Sequence, residues 1–277
     1  MKNAGVVGLG MIGGGVAVCL ARTGQLAAVY DIRPDAADAL EGVPAVVASP
    51  AELARLADTI LIAVVSAQQV LDVLSGPDGV LAHARPEMTI VVLATVSLPE
   101  LEKIRAVTDA AGVGLVDAGV TGGLKAKEGG LVSMVGGDES VVERILPVLN
   151  GFSQHVARMG GTGAGMTAKI ARNVVVYGTY RAGQEAAALC RAAGVDIAVL
   201  TKVIDESAEG VGGPMMLANR ADPMTDETEF RIRQGMKQLM LKDLQAAKDM
   251  AGDTGIELPL VDLNITDADT LVGTKKP

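Results

Sequence analysis

There is no tryptophan in this 277-residue chain, and the other aromatic residues number five: Tyr30, Phe152, Tyr177, Tyr180 and Phe230. Any core must be built from Ala, Val, Leu, Ile and Met, and aromatic stacking platforms for single-stranded nucleic acid are disfavoured. Cysteine is scarce too. Cys19 and Cys190 lie in apolar, Ala-rich stretches, and no Cys-x-x-Cys exists, so neither a disulfide framework nor a structural zinc site is indicated. Two histidines, His83 and His155, argue against a histidine-rich metal site. Basic residues are outnumbered 33 to 24, for a formal charge of −9. The imbalance holds in both parts, with 11 basic and 17 acidic residues up to residue 162 and 13 and 16 after it. No basic half exists to grip phosphate backbones or anionic lipid, which argues against nucleic-acid and membrane partners.

Long uncharged runs are nearly absent. The exception, Asn3 to Ala21, is flanked by Lys2 and Arg22 and has the outline of a signal peptide or membrane helix. Six of the eleven residues Gly5–Gly15 are glycine, which suits neither, and the expectation is a cytoplasmic protein.

Hydrophobic residues make up 49% of the chain, enough for a sizeable core. Up to about residue 160, short apolar β-branched runs alternate with Ala-rich amphipathic stretches. Strands are predicted at Ala4–Val7, Ala27–Tyr30, Ala45–Val47, Thr59–Val64, Thr89–Leu93 and Gly114–Val116, then at Leu131–Val135 and Gln154–Arg158 around a helix Glu139–Leu149. The first set is apolar nearly throughout, as in a parallel sheet covered on both faces. Ser49-Pro50-Ala51-Glu52 and Ser97-Leu98-Pro99-Glu100 are helix-start signals with the Ser-x-x-Glu spacing of a capping box. After Gly165 the texture turns helical: Met166–Ala193, about 28 residues or ~42 Å long, then Ile197–Ser207, Phe230–Thr254 and Leu260–Leu271, with a loop or broken helix at Gly210–Thr228. The expected class is α/β: an N-terminal Rossmann-type dinucleotide-binding domain over residues 1–162, then 163–277, a long connecting helix leading into an all-α C-terminal domain. The connecting helix carries more apolar face than one small helical domain covers, which predicts a homodimer or homotetramer.

Three motifs carry chemistry. Gly8-Leu9-Gly10-Met11-Ile12-Gly13 follows an apolar strand, opens an Ala/Val-rich helix, and precedes Asp31 by eighteen residues counted from Gly13. Gly8 allows the tight turn, Gly10 lets backbone approach a pyrophosphate, and Gly13 allows close helix packing, with helix N–H groups facing the anion. Asp31 would accept hydrogen bonds from ribose hydroxyls and repel a 2′-phosphate, favouring NAD, while Arg33 leaves NADP possible. Asp117-Ala118-Gly119-Val120-Thr121-Gly122-Gly123, placed just after a strand, offers exposed backbone N–H groups and a hydroxyl to a carboxylate, or a plain turn. Gly160-Gly161-Thr162-Gly163-Ala164-Gly165 runs into Lys169 and Asn173, which share one helix face in an Ala/Val-rich stretch. A lysine there is costly unless it works or is paired, and desolvation brings its pKa towards the range useful for proton transfer; a snorkelling surface lysine is the other reading.

Together these motifs resemble, in order and over essentially the whole chain, the β-hydroxyacid dehydrogenase family, which includes 3-hydroxyisobutyrate dehydrogenase. The resemblance implies that Gly8–Gly13, Asp31, Arg33, Val64, Val65, Thr95 in the segment Ala94–Pro99, and Lys242 of Lys242-Asp243-Leu244 face the cofactor. It implies that Thr121, Gly122 and Gly123 hold a substrate carboxylate, with Thr121 where the family mostly has Ser. Lys169 is then the proton donor and acceptor, and Asn173 orients the substrate. Arg172 stands where relatives often have Asn; it either faces solvent or, if it reaches the pocket, favours a substrate with extra negative charge. The expected activity is NAD-dependent interconversion of a small β-hydroxy acid with its semialdehyde or keto acid. The alternatives are a semialdehyde reductase, an imine reductase-like enzyme, although those relatives usually lack the lysine, and an inactive dinucleotide-binding scaffold.

Overall fold

The computed structural model describes residues 4–207 and 226–274. Its strands are β1 (Ala4–Val7), β2 (Leu26–Tyr30), β3 (Thr59–Ile62), β4 (Thr89–Val92), β5 (Gly114–Thr121), β6 (Leu131–Gly137) and β7 (Ser153–Gly160). They form one sheet in the order β2-β1-β3-β4-β5-β6-β7. The first five strands run parallel; β6 is antiparallel to β5, and β7 is parallel to β6. The order reverses at β1, which pairs with both β2 and β3, so a crevice opens beyond the carboxyl ends of those strands.

The inner strands are buried along their whole length, which explains their unbroken apolar runs. Successive side chains serve opposite faces. Leu61 and Val91 pack with Val16, Leu20 and Val148 on one side, and Ile60, Ile62, Ile90 and Val92 pack with Leu53, Val70 and Leu101 on the other. Each such side chain contributes about 1.5–3 kcal/mol by leaving water. The covering helices are α1 (Met11–Arg22), α2 (Pro50–Leu56), α3 (Ala67–Leu74), α4 (Leu98–Ala110) and α5 (Glu139–Asn150). Their starts follow the sequence signals. The Ser49 hydroxyl accepts from the Glu52 N–H with Pro50 at the first helical position, and Ser97 with Glu100 forms a reciprocal capping box.

Three expectations are corrected. Ala45–Val47 is not a strand: Val46 makes only an isolated bridge to Val29, with the Val47 N–H donating to the Val29 carbonyl, and the chain passes two residues later into the Ser49 cap of α2. The fifth strand does not end at Val116. It continues through Asp117–Thr121 because β6 pairs antiparallel to that stretch, so most of the presumed loop motif is strand. After α6 (Ala164–Ala192), α7 (Ile197–Ser207) and α8 (Glu227–Thr254), Leu260–Leu271 is two helices, α9 (Pro259–Thr266) and α10 (Ala268–Val272), broken at Asp267. Most of the Gly210–Thr228 segment lies outside the described residues, while Asp226 caps α8 and Glu227 and Thr228 are its first residues.

The chain divides into two compact units, Met1–Arg172 and Asn173–Pro277. Both hydrophobic clusters belong to the first, and among the described residues neither extends past Met166. In the second, Ala251, Leu258, Ala268 and Val272 are buried, but Val174, Tyr177, Tyr180, Val199, Val203 and Leu239 are exposed. Among the described residues no helix is long and apolar enough to cross a membrane.

Candidate active site

The glycines at the end of β1 have separate jobs. Gly8 has φ +84°, a left-handed conformation, and a Cβ there would lie 2.7 Å from the Ala63 carbonyl oxygen. A Cβ on Gly13 would collide with the Gly8 carbonyl, so the first turn of α1 closes directly on the loop. At Gly10 nothing lies within 4 Å of that position. Gly10 is also the N-cap of α1, and no side chain caps this helix. Backbone N–H groups thus face open space at the positive end of a helix, which fits a pyrophosphate.

That space is a cavity of about 530 Å³ lined by Gly8, Gly10, Asp31, Arg33, Val64 and Val65, among others. Asp31 directly follows β2, and its side chain is 8% exposed. Its Oδ2 accepts from the Leu9 N–H at 2.7 Å, and its Oδ1 accepts from the Arg33 N–H at 3.0 Å and Arg33 Nε at 3.2 Å. Burial pushes the Asp31 carboxyl up, but the Arg33 side chain and the two backbone N–H groups outweigh it and hold the pKa below the ordinary value. Leu9 therefore contributes through its N–H, while its side chain is buried in the core. Met11 lines a neighbouring recess with Leu9, Gly10, Arg33 and Gly123.

A second cavity of about 330 Å³ adjoins the first, sharing Ala63 and Val64. It gathers Ile12, Thr95, Thr121, Gly122, Gly123 and Lys169 from four separate stretches of chain. Thr121 ends β5, Gly122 turns the chain with φ +87°, and Gly123 opens a 3₁₀ turn, Gly123–Glu128. That turn is seated on α1. A Cβ on Gly15 would overlap Ala126, and the Cys19 thiol donates to the Ala126 carbonyl at 3.2 Å.

Lys169 reaches this cavity from the second turn of α6. Its stem packs where a Cβ on Gly119 would be, and its Nζ donates to the Val120 carbonyl at 2.6 Å. Burial, and then the positive charge of Arg172, lower its pKa from the ordinary lysine value. The lysine is thus held by backbone rather than by a carboxylate, with ammonium hydrogens left over for a ligand. Asn173 follows one helical turn later and opens the second unit. Lys242 lies on α8 in that unit, largely exposed and paired with Asp243 at 3.4 Å.

Sequence reasoning missed the Val120 carbonyl, the Ala63 and Leu93–Ala94 walls of the cavities, and the partners of Asp117. The fully buried Asp117 carboxylate accepts from the Gly163 N–H at 2.7 Å and the Met166 N–H at 2.6 Å. Residues 46 and 49 positions away leave no local signal.

Residues 3–161 match the family described as the NAD binding domain of 6-phosphogluconate dehydrogenase, and residues 163–268 match that of the NAD-binding region of NADP-dependent 3-hydroxyisobutyrate dehydrogenase. The chain belongs to the β-hydroxyacid dehydrogenase family. As a member it is a nicotinamide-dependent oxidoreductase acting on CH–OH groups. An L-threonate dehydrogenase of Escherichia coli K12 is 31% identical over 93% of this chain and 85% of its own length. An NAD-dependent L-serine dehydrogenase of Pseudomonas aeruginosa is 29% identical over 96% and 91%. Among solved structures, a putative oxidoreductase from Mycobacterium avium 104 superposes with a TM-score of 0.88 at 30% identity, covering 100% of both chains.

Proposed function

We propose that this family member oxidises the β-hydroxyl of a small carboxylic acid, or reduces the corresponding semialdehyde or keto acid, with Lys169 as general acid and base. The observation that carries the reading is Lys169 Nζ at 2.6 Å from the Val120 carbonyl, in a cavity whose other polar groups are Thr95, Thr121 and the Gly122–Gly123 backbone. The substrate carboxylate accepts from the Thr121 hydroxyl and the N–H groups of Gly122 and Gly123. Its hydroxyl then faces Lys169, which takes the proton during oxidation and returns it to the carbonyl oxygen during reduction. When bound, the dinucleotide supplies or receives the hydride. Threonate and serine, the compounds named for two relatives, are both small hydroxylated carboxylates, in keeping with this pocket.

The same reading takes residues 1–162 as the dinucleotide domain and 163–277 as the helical substrate and dimerisation domain. It keeps Asn173 for substrate orientation and Lys242 for the cofactor side, and makes the cofactor NAD rather than NADP. The exposed apolar residues of the second unit support a homodimer or homotetramer.

The test is a panel of 3-hydroxy acids and short semialdehydes run with NAD and NADP, on the native enzyme and Lys169→Ala. Turnover is expected to fall by ~10²–10⁴ in the variant while dinucleotide binding persists. Turnover within about threefold of native removes Lys169 from the mechanism.

A further inference from the structure

Asp117 is the last β5 residue in register with β4, opposite Val92, and it is also paired with Gly136 of β6. It stands where the sheet passes from parallel to antiparallel, at full burial and with no cation paired to it among the described residues. A buried carboxylate is costly unless its oxygens are satisfied. Here both are satisfied by the start of α6: Oδ1 by the Gly163 N–H at 2.7 Å and Oδ2 by the Met166 N–H at 2.6 Å. The segment entering α6, Gly160-Gly161-Thr162-Gly163, contains no acid of its own. The negative charge that a helix N-terminus favours is supplied from a strand 46 residues earlier.

Glycines bring the helix flush with the sheet. A Cβ on Gly136 would stand 2.6 Å from Asp117 Oδ1, and one on Gly165 would stand 2.6 Å from the Asp117 carbonyl oxygen. Successive β5 residues then meet successive levels of α6. Asp117 holds the backbone of Gly163 and Met166, Gly119 receives the stem of Lys169, and Val120 accepts from its Nζ. Thr121 follows at once in the cavity. We infer that Asp117 is a positioning residue: its carboxylate fixes the register of α6 against β5 and so sets where the Lys169 amine stands relative to Thr121–Gly123. The inference rests on the proposed role of Lys169. A misplacement of about 1 Å in a reacting group costs on the order of 10²-fold in rate.

The test compares Asp117→Asn, Gly119→Ala and Lys169→Ala. Asp117→Asn keeps the shape but turns one acceptor into a donor facing an N–H; Gly119→Ala pushes on the lysine stem from the strand side. Both are expected to lose about 10–100-fold in kcat while NADH binding, read by fluorescence, and substrate KM change less than about threefold. In Asp117→Asn the limb of the pH–rate profile due to Lys169 is expected to move to higher pH, because a lysine released from its burial returns towards its ordinary value. Arg172, the charged neighbour that also lowers it, is unchanged in these variants. Native kcat and an unmoved profile in folded Asp117→Asn overturn the inference if Lys169→Ala is inactive. An active Lys169→Ala overturns the mechanism instead. If neither Asp117→Asn nor Gly119→Ala folds, the carboxylate is purely structural and the inference falls.

Discussion

Replacing Asp31 by serine tests the cofactor end of the site. The carboxylate has roughly four lone-pair positions, and Leu9 N–H, Arg33 N–H, Arg33 Nε and, at 3.5 Å, Arg33 Nη2 use all four. Ribose hydroxyls gain two places when the Arg33 side chain moves aside. One charge-assisted hydrogen bond contributes about 1.5–3 kcal/mol, and 1.4 kcal/mol is a factor of ten. NAD preference is therefore expected at about 10–100-fold. A 2′-phosphate would remove a hydroxyl donor and bring about two negative charges beside a carboxylate held ionised. In Asp31→Ser the repulsion goes and Arg33, freed from its partner, meets the phosphate. The ratio of kcat/KM for NAD over NADP should fall at least tenfold, and less in Asp31→Ser/Arg33→Ala. Because the folded pKa of Asp31 is depressed, its carboxylate stabilises the protein above the unfolded value of about 3.9, and that contribution is lost as pH falls through the folded value. Selectivity should thus stay flat from about pH 7 to 9, and weaken as pH falls through about 6, where the 2′-phosphate takes up a proton. A native preference for NADP, or a ratio unmoved by Asp31→Ser, refutes the assignment.

Two further outcomes are expected. Lys169 has a lowered pKa, so kcat/KM for oxidation should rise as pH climbs through a value below the usual ~10.4, where the neutral amine forms, and reduction should decline over the same range; identical profiles in both directions, or none of these limbs, would contradict it. Light scattering at micromolar concentration should give the mass of two or four chains, with the unfolding midpoint rising with protein concentration, and a monomer's mass would end the oligomer reading.

The turn Gly8–Gly13 and the place of Asp31 beside it were legible because their signals are local. Gly8–Gly13 must turn, and Asp31 lies one βαβ step on, where a single strand length fixes its place. The helix starts at Ser49 and Ser97 were equally plain, and Ser66 with Gln69 forms another capping box that the same spacing would have found. The substrate half was blurred because its determinants are not neighbours. Nothing in Asp117–Thr121 announces an antiparallel partner, since Ala118 and Gly119 are poor strand formers, and the smallness of Gly119 serves the lysine stem of the helix above it. Ala45–Val47 misled for the opposite reason: its β-branched residues suit a strand, but the capping of α2 ends it.

The seating of the 3₁₀ turn on α1 sets terms for anyone who would re-engineer this pocket for bulkier acids. Gly15 cannot grow, since its first added carbon would overlap Ala126, and Gly123 has Ile12 Cδ1 at 3.2 Å from where a Cβ would stand. The Thr121–Gly123 turn and the Gly8–Gly13 loop are therefore a single casting, and a change to one is a change to both. Leu93 and Ala94 belong to the buried core of the sheet, but Thr95 beside them is exposed at the rim. Libraries aimed at this pocket gain most by leaving positions 15 and 122–126 as they are.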